Sequence, residues 1–462
     1  MMLVPDDRTG IDNSGTIVDV PIEFSAAPLR VEPTSRPDIR HFPAEHMQLI
    51  HQELLSLIRP ERLGEPRNED KQELRLAINN IITRHRMPYS GVERDQLAEQ
   101  VLDQVYGYGP LQPLIDDDTV DDILVNTHAT VYVERKGLIE RTNARFHSKE
   151  HLMHIVDRIV SAVGRHVDES SPMVDARLSN GSRVNVVIPP LAIDGPCVSI
   201  RKFGTHPLTA DTLVANKSIT PEMLEFLAAA VKAKLCLLIS GGTGAGKTTL
   251  LNVLSSFIGA RERIITIEDS AELQLQQEHV VRLECRPANV EGRGEILQRQ
   301  LVINALRMRP DRIVLGEVRG EEAMDLLQAM NTGHDGSLAT IHANSPRDAI
   351  TRLESMVLRG SANLPDRAIK QQIASAIHLV VQVSRLSDGR RCITNIAEIS
   401  GMQGDVLTTH EIFTFDKRGV DSHGMVHGTF RGTGLPPERC TGIIAPAGIN
   451  LSRGIFQNSM EV

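Results

Sequence analysis

The sequence predicts an α/β protein whose C-terminal half is built on a parallel sheet, preceded by a mixed α/β domain and a small helical bundle. Three observations carry this expectation. Beyond Pro221, apolar runs of strand length alternate with amphipathic helical segments, the pattern of a parallel sheet. One run ends in Gly241-Gly242-Thr243-Gly244-Ala245-Gly246-Lys247-Thr248-Thr249 and is followed by the helix-forming stretch Leu250–Ile258. Nearer the N-terminus, apolar residues recur at helical spacing in three segments punctuated by Pro60 and Pro88.

Taken in order, residues 1–45 hold six prolines and eight acidic against four basic residues, without periodicity, and are expected to form a disordered arm. The bundle is expected over 46–105. His46–Ile58 aligns Met47, Ile50, Leu54 and Leu57, Asn68–Arg86 aligns Leu74, Ile78 and Ile81, and Val92–Val105 aligns Leu97, Val101 and Val105. From 106 to 205 the texture changes to short β-like runs at 122–126, 130–135 and 183–188 around a helical stretch at 149–163, separated by turns such as Ser179-Asn180-Gly181-Ser182. Residues 206–220 are expected to be a linker, and 221–420 the parallel-sheet domain, with three strand-like runs at 378–415 as an antiparallel extension. Eight glycines in the last 44 residues and few periodic apolar positions predict a loosely ordered tail over 421–462.

Composition narrows the function. At 462 residues the chain has material for about three domains. Aromatic residues make up 3%, with no Trp and four Tyr, so cores must be aliphatic and base-stacking platforms scarce. The net charge of -9 argues against a dedicated nucleic-acid binder, and none is expected as a partner. The five cysteines are widely spaced without a CxxC pair, which fits a reducing, cytosolic compartment with neither a zinc site nor a disulfide framework. The N-terminus lacks a basic segment followed by an apolar run. Of the most apolar windows, 223–240 is broken by Glu225, Lys232 and Lys234, while 373–384 is only twelve residues long against the roughly 20 of a membrane span.

The chemistry begins at the glycine-rich run. It follows G-x4-G-K-[ST] between a strand at 235–240 and a helix. The glycines let consecutive N–H groups turn toward phosphate oxygens, and the helix adds its positive end. Lys247 is expected to reach the β- and γ-phosphates and the Thr248 hydroxyl to ligate Mg2+. Hydrolysis also needs a carboxylate on the Mg2+ side and a group that orients water. Arg312–Glu317 is an apolar strand ending in an acid, the Walker B arrangement, and sequence leaves open whether Glu317 holds water or Mg2+. Arg263–Asp269 is a second strand ending in acids, and strand ends of a parallel sheet converge on a ligand crevice, so Glu268 and Asp269 are expected there. His334 and His342 stand in Thr332–Asn344. His342 ends a further strand and so is a candidate sensor of the γ-phosphate, against the plainer alternative of surface histidines satisfied by backbone.

Together these stretches resemble the secretion and pilus-assembly ATPases, the GspE and VirB-type superfamily. GGTGAGKTT looks like its Walker A, IITIEDSAEL like its Asp box, RIVLGEVRG like its Walker B, and TGHDGSLATIHANSPRDAITRLE is similar to its His box. GYGPLQPLIDDDTVDDILVN (107–126), DARLSNGSRVNVVIPPLAIDGPCVSIRKF (175–203) and RLSDGRRCITNIAEISG (385–401) look like the CpaF-type branch of tight-adherence (Flp) pilus systems. The resemblance implies a RecA-like P-loop domain in a homohexamer that hydrolyses ATP with Mg2+. It implies work on inner-membrane platform proteins, with the ring cytoplasmic and peripheral at the membrane through those partners. By carry-over, Glu268 falls at the Asp-box acid, Glu317 at the Walker B glutamate and His342 at the His-box histidine. Arginines of the N-terminal domain reach the phosphates in this family. Here the candidates are Arg177, Arg183 and Arg201, with Arg201 in SIRKF the best match. Arg307, Arg309 and Arg319 flank the Walker B strand and equally suit a neighbouring subunit.

Two other readings stand beside the motor. A RecA-like nucleic-acid translocase would share the phosphate loop and Walker B strand, but acidic charge and scarce aromatics count against it. A nucleotide-binding regulator that does not hydrolyse would share the loop alone.

Overall fold

The computed structural model describes residues 42–57, 68–135, 137–204, 208–288, 293–360, 364–452 and 454–461. Most of the expected arm, residues 1–41, lies outside them; Ala44 and Glu45 already open the first helix.

Helices α1 (Ala44–Leu57), α2 (Asn68–Arg84) and α3 (Gly91–Val105) form the N-terminal bundle. The periodic apolar residues explain it: Met47, Ile50, Leu54, Ile78, Ile81, Leu97 and Val101 share one buried cluster. Ser90 sets the start of α3 through a capping box with Glu93.

A 3-10 turn at Gly109–Leu111 and α4 (Gln112–Asp116) lead into the second unit. It contains β1 (Asp122–Thr127), β2 (Thr130–Arg135), β3 (Leu138–Arg141), α5 (Lys149–Ser161), β4 (Met173–Arg177), β5 (Arg183–Val187) and β6 (Cys197–Arg201). The six strands form an antiparallel sheet in the order β3-β2-β1-β6-β5-β4. Alternating residues Ile123, Val125, Val131, Val133, Val184, Val186, Val198 and Ile200 bury against Leu152, Ile155, Val156 and Ile159 of α5. The opposite face, carrying Arg177, Arg183 and Arg201, is left for the site.

The C-terminal unit opens earlier than the expected boundary. Within 206–220, α6 (Ala210–Ala215) is a short helix, and Leu213 and Ile219 are buried in the following domain's core. These residues are therefore part of that domain, while 205–207 lie outside the described residues. Next come α7 (Pro221–Lys232), β7 (Leu237–Gly241), α8 (Lys247–Ser255), β8 (Ile264–Glu268), β9 (Val280–Glu284), α9 (Gln298–Ala305), β10 (Arg312–Val318), α10 (Glu322–Asn331), β11 (Leu338–Ile341), α11 (Pro346–Gly360) and α12 (Asp366–Ala376). Three long strands, β12 (Leu379–Arg385), β13 (Arg391–Gln403) and β14 (Val406–Val420), precede β15 (Val426–Gly432), α13 (Glu438–Ile444) and β16 (Ser459–Glu461).

All ten strands make one sheet, ordered β16-β15-β14-β13-β12-β7-β11-β10-β8-β9. From β12 to β9 neighbours are parallel; from β12 to β16 they are antiparallel. Strand alternation feeds two cores. Leu237, Ile239, Val314 and Leu338 face α7 and α8, while Leu238, Ile313, Leu315, Ala339 and Ile341 face α10, α11 and α12. Arg312 is completely buried at the start of β10, where Nε and Nη2 reach the two carboxylate oxygens of Glu262 at 2.8 and 2.9 Å.

The expected loose tail is ordered instead. Residues 426–432 add a strand to β14, Phe430, Cys440, Ile444, Ile455 and Phe456 join the core, and Arg439 donates to the carbonyls of Ser375, Ile377 and Ile399. Glycines concealed this, because several mark turns or close approaches. A Cβ on Gly432 would meet the Phe456 carbonyl oxygen at 2.1 Å. Among the described residues, no helix is long and apolar enough to cross a membrane. All five cysteines are free thiols.

Candidate nucleotide-binding site

Strand β7, central in the sheet between β12 and β11, delivers the glycine-rich loop at its carboxyl end, and α8 starts at Lys247. Gly246 caps that helix in the left-handed region at φ 98°, with no side chain bonding to the helix start. The N–H groups of Gly246, Lys247, Thr248 and Thr249 have no backbone acceptor outside the helix among the described residues, as expected of a helix start left open for an anion. Gly241 is sterically required, since a Cβ there would lie 2.5 Å from the Val383 carbonyl oxygen.

The loop forms the floor of a cleft of about 990 Å3 between the two α/β units. Thr243 to Thr249, Glu268, Asp269, Glu317 and His342 line it from the ten-stranded sheet, and Arg177, Arg183 and Arg201 line it from the other. These sequence-predicted residues, with Arg319, thus come together around one cavity, whereas Gly241, Gly242, Arg307, Arg309 and His334 are not part of its lining.

Within it, charges are arranged in a chain. The Lys247 ammonium donates to Gly242 O at 3.1 Å and lies 3.3 Å from His342 Nδ1. Burial, with the nearby Arg201 and Arg319, holds its pKa below the ordinary lysine range against the opposing pull of Glu317. His342 Nε2 lies 2.9 Å from Glu317 Oε1. Burial, helped by Lys247 and opposed by Glu317, lowers the affinity of His342 for a proton, so the neutral ring is favoured at pH 7; in its Nε2-protonated tautomer it donates to Glu317 and accepts from Lys247. Arg319 Nη2 reaches Glu317 Oε2 at 2.7 Å, and its Nη1 reaches Asp269 Oδ2 at 2.5 Å. One arginine therefore bridges two of the three acids expected near the phosphates.

Glu268 is the third acid, and it is almost wholly buried. Its Oε2 accepts the backbone N–H groups of Glu272 and Leu273 at 2.6 and 2.8 Å, while Oε1 has no partner. Burial raises its pKa against those two donors. Gly316 makes room for it: a Cβ there would stand 2.9 Å from Glu268 Cγ.

The arginines of the antiparallel sheet differ. Arg177 pairs with Glu284 at 2.7 Å and donates to Ser270 Oγ at 2.9 Å, and Arg183 pairs with Glu272. The Arg201 side chain makes no hydrogen bond or salt bridge among the described residues; the Asp122 carboxylate attracts it across the β1–β6 strand pair, which leaves its guanidinium the freest of the three. Of the two histidines, His334 follows the plainer alternative, its Nδ1 lying 3.2 Å from Ala329 O. Among the described residues no cluster of three or more His, Cys, Asp or Glu is arranged to hold a metal by itself. The Thr248 hydroxyl and the Glu317 and Asp269 carboxylates are oxygen donors of the kind Mg2+ takes, one or two beside phosphate oxygens, while the N–H groups of the loop suit the phosphates themselves.

A protein family described as type II/IV secretion system protein matches residues 104–423. The chain belongs to this family. A Mycobacterium tuberculosis protein named for conjugal transfer is 38% identical over 336 residues, spanning 71% of this chain and 94% of its own length. The conjugal transfer protein TrbB of Rhizobium radiobacter is 30% identical over 314 residues, 67% of this chain and 92% of that protein. The crystal structure of the VirB11 ATPase from the Brucella suis type IV secretion system, in complex with sulphate, shares 30% identity, with 62% and 94% of the two chains covered and a TM-score of 0.34.

This secretion-family chain also builds its site with residues that the motifs did not single out. Glu272 and Glu284 anchor the arginines of the facing domain; Glu272 stands inside IEDSAEL, a signal that was present, but Glu284 comes from β9, which had no clear strand pattern. Arg391, on β13, bonds Gly244 across 147 residues of sequence, which no local pattern announces.

Proposed function

We propose that this protein is an ATP-hydrolysing hexameric motor that powers assembly, and retraction where the machine reverses, of a type IV-like or Flp pilus or of a type II/IV secretion machine. The observation that carries the reading is the cleft itself: a phosphate loop with four open amides, a buried lysine, acids at the ends of β8 and β10, and an unpaired Arg201 on a separate domain. Such a division suits a motor. An arginine on one domain neutralises the charge developing on phosphate only when that domain closes, which couples hydrolysis to movement.

In this reading the loop amides and Lys247 bind the β- and γ-phosphates, and Thr248 with Glu317 or Asp269 would hold a Mg2+ ion beside them. The ion supplies charge neutralisation on the phosphates. Glu317, oriented by His342, polarises the attacking water, and Glu268 is the second acid beside it. Arg201 meets the γ-phosphate, while Arg177 and Arg183 brace the domain wall through Glu284 and Glu272.

The tight-adherence branch is proposed on the sequence likeness at 107–126, 175–203 and 385–401. Platform proteins at the cytoplasmic face of the inner membrane are the proposed partners, with peripheral attachment through them. The test is Mg2+-dependent phosphate release from ATP by the purified chain, with mass measured in parallel. Turnover by a hexamer, unstimulated by DNA or RNA, is the expected result. Strong stimulation by nucleic acid would favour the translocase instead.

A further inference from the structure

The β12–β13 hairpin sends two arginines to the phosphate loop, and neither belongs to the loop, the Walker B strand or the acid-bearing strand. Arg391 Nε donates to Gly244 O at 2.9 Å. Its stem also covers Gly246, where a Cβ would stand 3.4 Å from Arg391 Cδ. Arg385 approaches the same loop tip, with Nη1 3.7 Å from the position of a Cβ on Gly244. On its other side, Arg385 Nη2 donates to Gly137 O and lies 3.4 Å from Glu134 Oε1, both in the antiparallel domain. The hairpin is braced from behind, because the Asp388 carboxylate accepts N–H bonds from Arg390 and from Val426 of β15, each at 2.9 Å.

This geometry bears on how the loop is shaped. The peptide between Gly244 and Ala245 turns its N–H toward Gly242 O at 3.3 Å and its carbonyl toward Arg391. A carbonyl swung into the loop would face phosphate oxygens and repel them. The guanidinium holds that dipole outward, which leaves the inward direction to N–H groups. Arg385 is bonded to the facing domain while its other terminal nitrogen stands over Gly244, so displacement of that domain moves a cation at the loop tip.

We propose that Arg391 and Arg385 form a strap between the phosphate loop and the antiparallel domain. Arg391 is a positioning residue for phosphate binding, and Arg385 transmits domain position to the loop. The inference rests on the nucleotide reading above.

The test uses the full chain, a fluorescent N-methylanthraniloyl ADP, and steady-state ATP turnover. Arg391→Ala weakens ADP binding about ten-fold, the scale of one lost charge-assisted hydrogen bond, and raises KM more than it lowers kcat. Arg391→Lys, which keeps a donor, recovers most of the affinity. Arg391→Gln serves for the same comparison should the alanine variant not fold. Arg385→Ala binds ADP within about two-fold of the unaltered chain, because the Gly244 bond remains. It loses most of the ADP-dependent change in energy transfer between fluorophores placed by unnatural amino acids at Ile193 and Val406, exposed positions on the two domains. Wild-type affinity in Arg391→Ala, or an unchanged energy-transfer response in Arg385→Ala, overturns the strap. Failure of the unaltered chain to bind the ADP probe would instead overturn the nucleotide reading beneath it.

Discussion

His342 holds Nε2 2.9 Å from Oε1 of Glu317 while its Nδ1 lies 3.3 Å from the ammonium of Lys247. One neutral imidazole thus links the strand-end acid to the phosphate-loop lysine. A proton added to Nδ1 removes the acceptor for Lys247 and sets a cation beside it.

Turnover is therefore expected to fall on acidification as His342 becomes charged. Because burial lowers its proton affinity, the fall lies below pH 6.5, the ordinary histidine value. His342→Asn lowers kcat roughly ten-fold or more through loss of Glu317 orientation and removes that contribution to the acid limb. The kcat profile between pH 5 and 8, run on both proteins, checks this. An acid limb of the same shape in both would exclude His342 as its source.

Gly316→Ala probes the second acid. Its new methyl group meets Glu268 Cγ at about the 2.9 Å found for an ideal Cβ, displacing the carboxylate rather than the phosphate loop. The expected outcome is a fall in kcat of roughly 10- to 100-fold with nucleotide affinity changed only a few-fold. Equal loss of affinity and rate would mean that Gly316 serves the loop instead.

Much of this arrangement was legible in the sequence because the P-loop, the two acid-tipped strands and His342 each announce themselves locally. The phosphate loop combines glycines that must turn with a strand before and a helix after. Glu268 and Glu317 end apolar runs long enough to be buried strands, and parallel topology then forces their ends together. What escaped notice depends on partners distant in sequence. β4 and β6 are five-residue strands whose pairing with β5 brings their residues together only in the folded sheet. Arg391 finds Gly244 only after the sheet is built, and the C-terminal residues show their apolar character only against Phe226 and Phe413.

That last contact yields a stability prediction. Phe456 is 8% exposed, with its ring centred 5.6 Å from Phe226 and 5.9 Å from Phe413. Phe456→Ala is expected to cost about 3 kcal/mol, measured by urea unfolding of the C-terminal domain transition. An unchanged midpoint would restore the loose tail expected from the glycine content.

Glu262→Gln tests the support beneath β10. Arg312 is fully buried and depends on Glu262 for its counter-charge. Removing that charge strands a buried guanidinium and costs about 3 to 5 kcal/mol. The two carbonyls that Arg312 also contacts, Val231 O and Gly336 O, cannot replace it. Urea unfolding of the variant beside the unaltered chain measures the loss, and a shift under about 1 kcal/mol would show the pair to be dispensable.

The account turns on hydrolysis in the cleft, and Glu317→Gln tests that most directly. Nucleotide affinity and phosphate release are measured together on the unaltered chain, on Glu317→Gln and on Lys247→Ala. The prediction is that Glu317→Gln binds ATP but loses turnover, by roughly 100-fold or more, whereas Lys247→Ala loses binding as well. Turnover in the unaltered chain no faster than in Glu317→Gln would contradict the motor and leave a nucleotide-binding regulator.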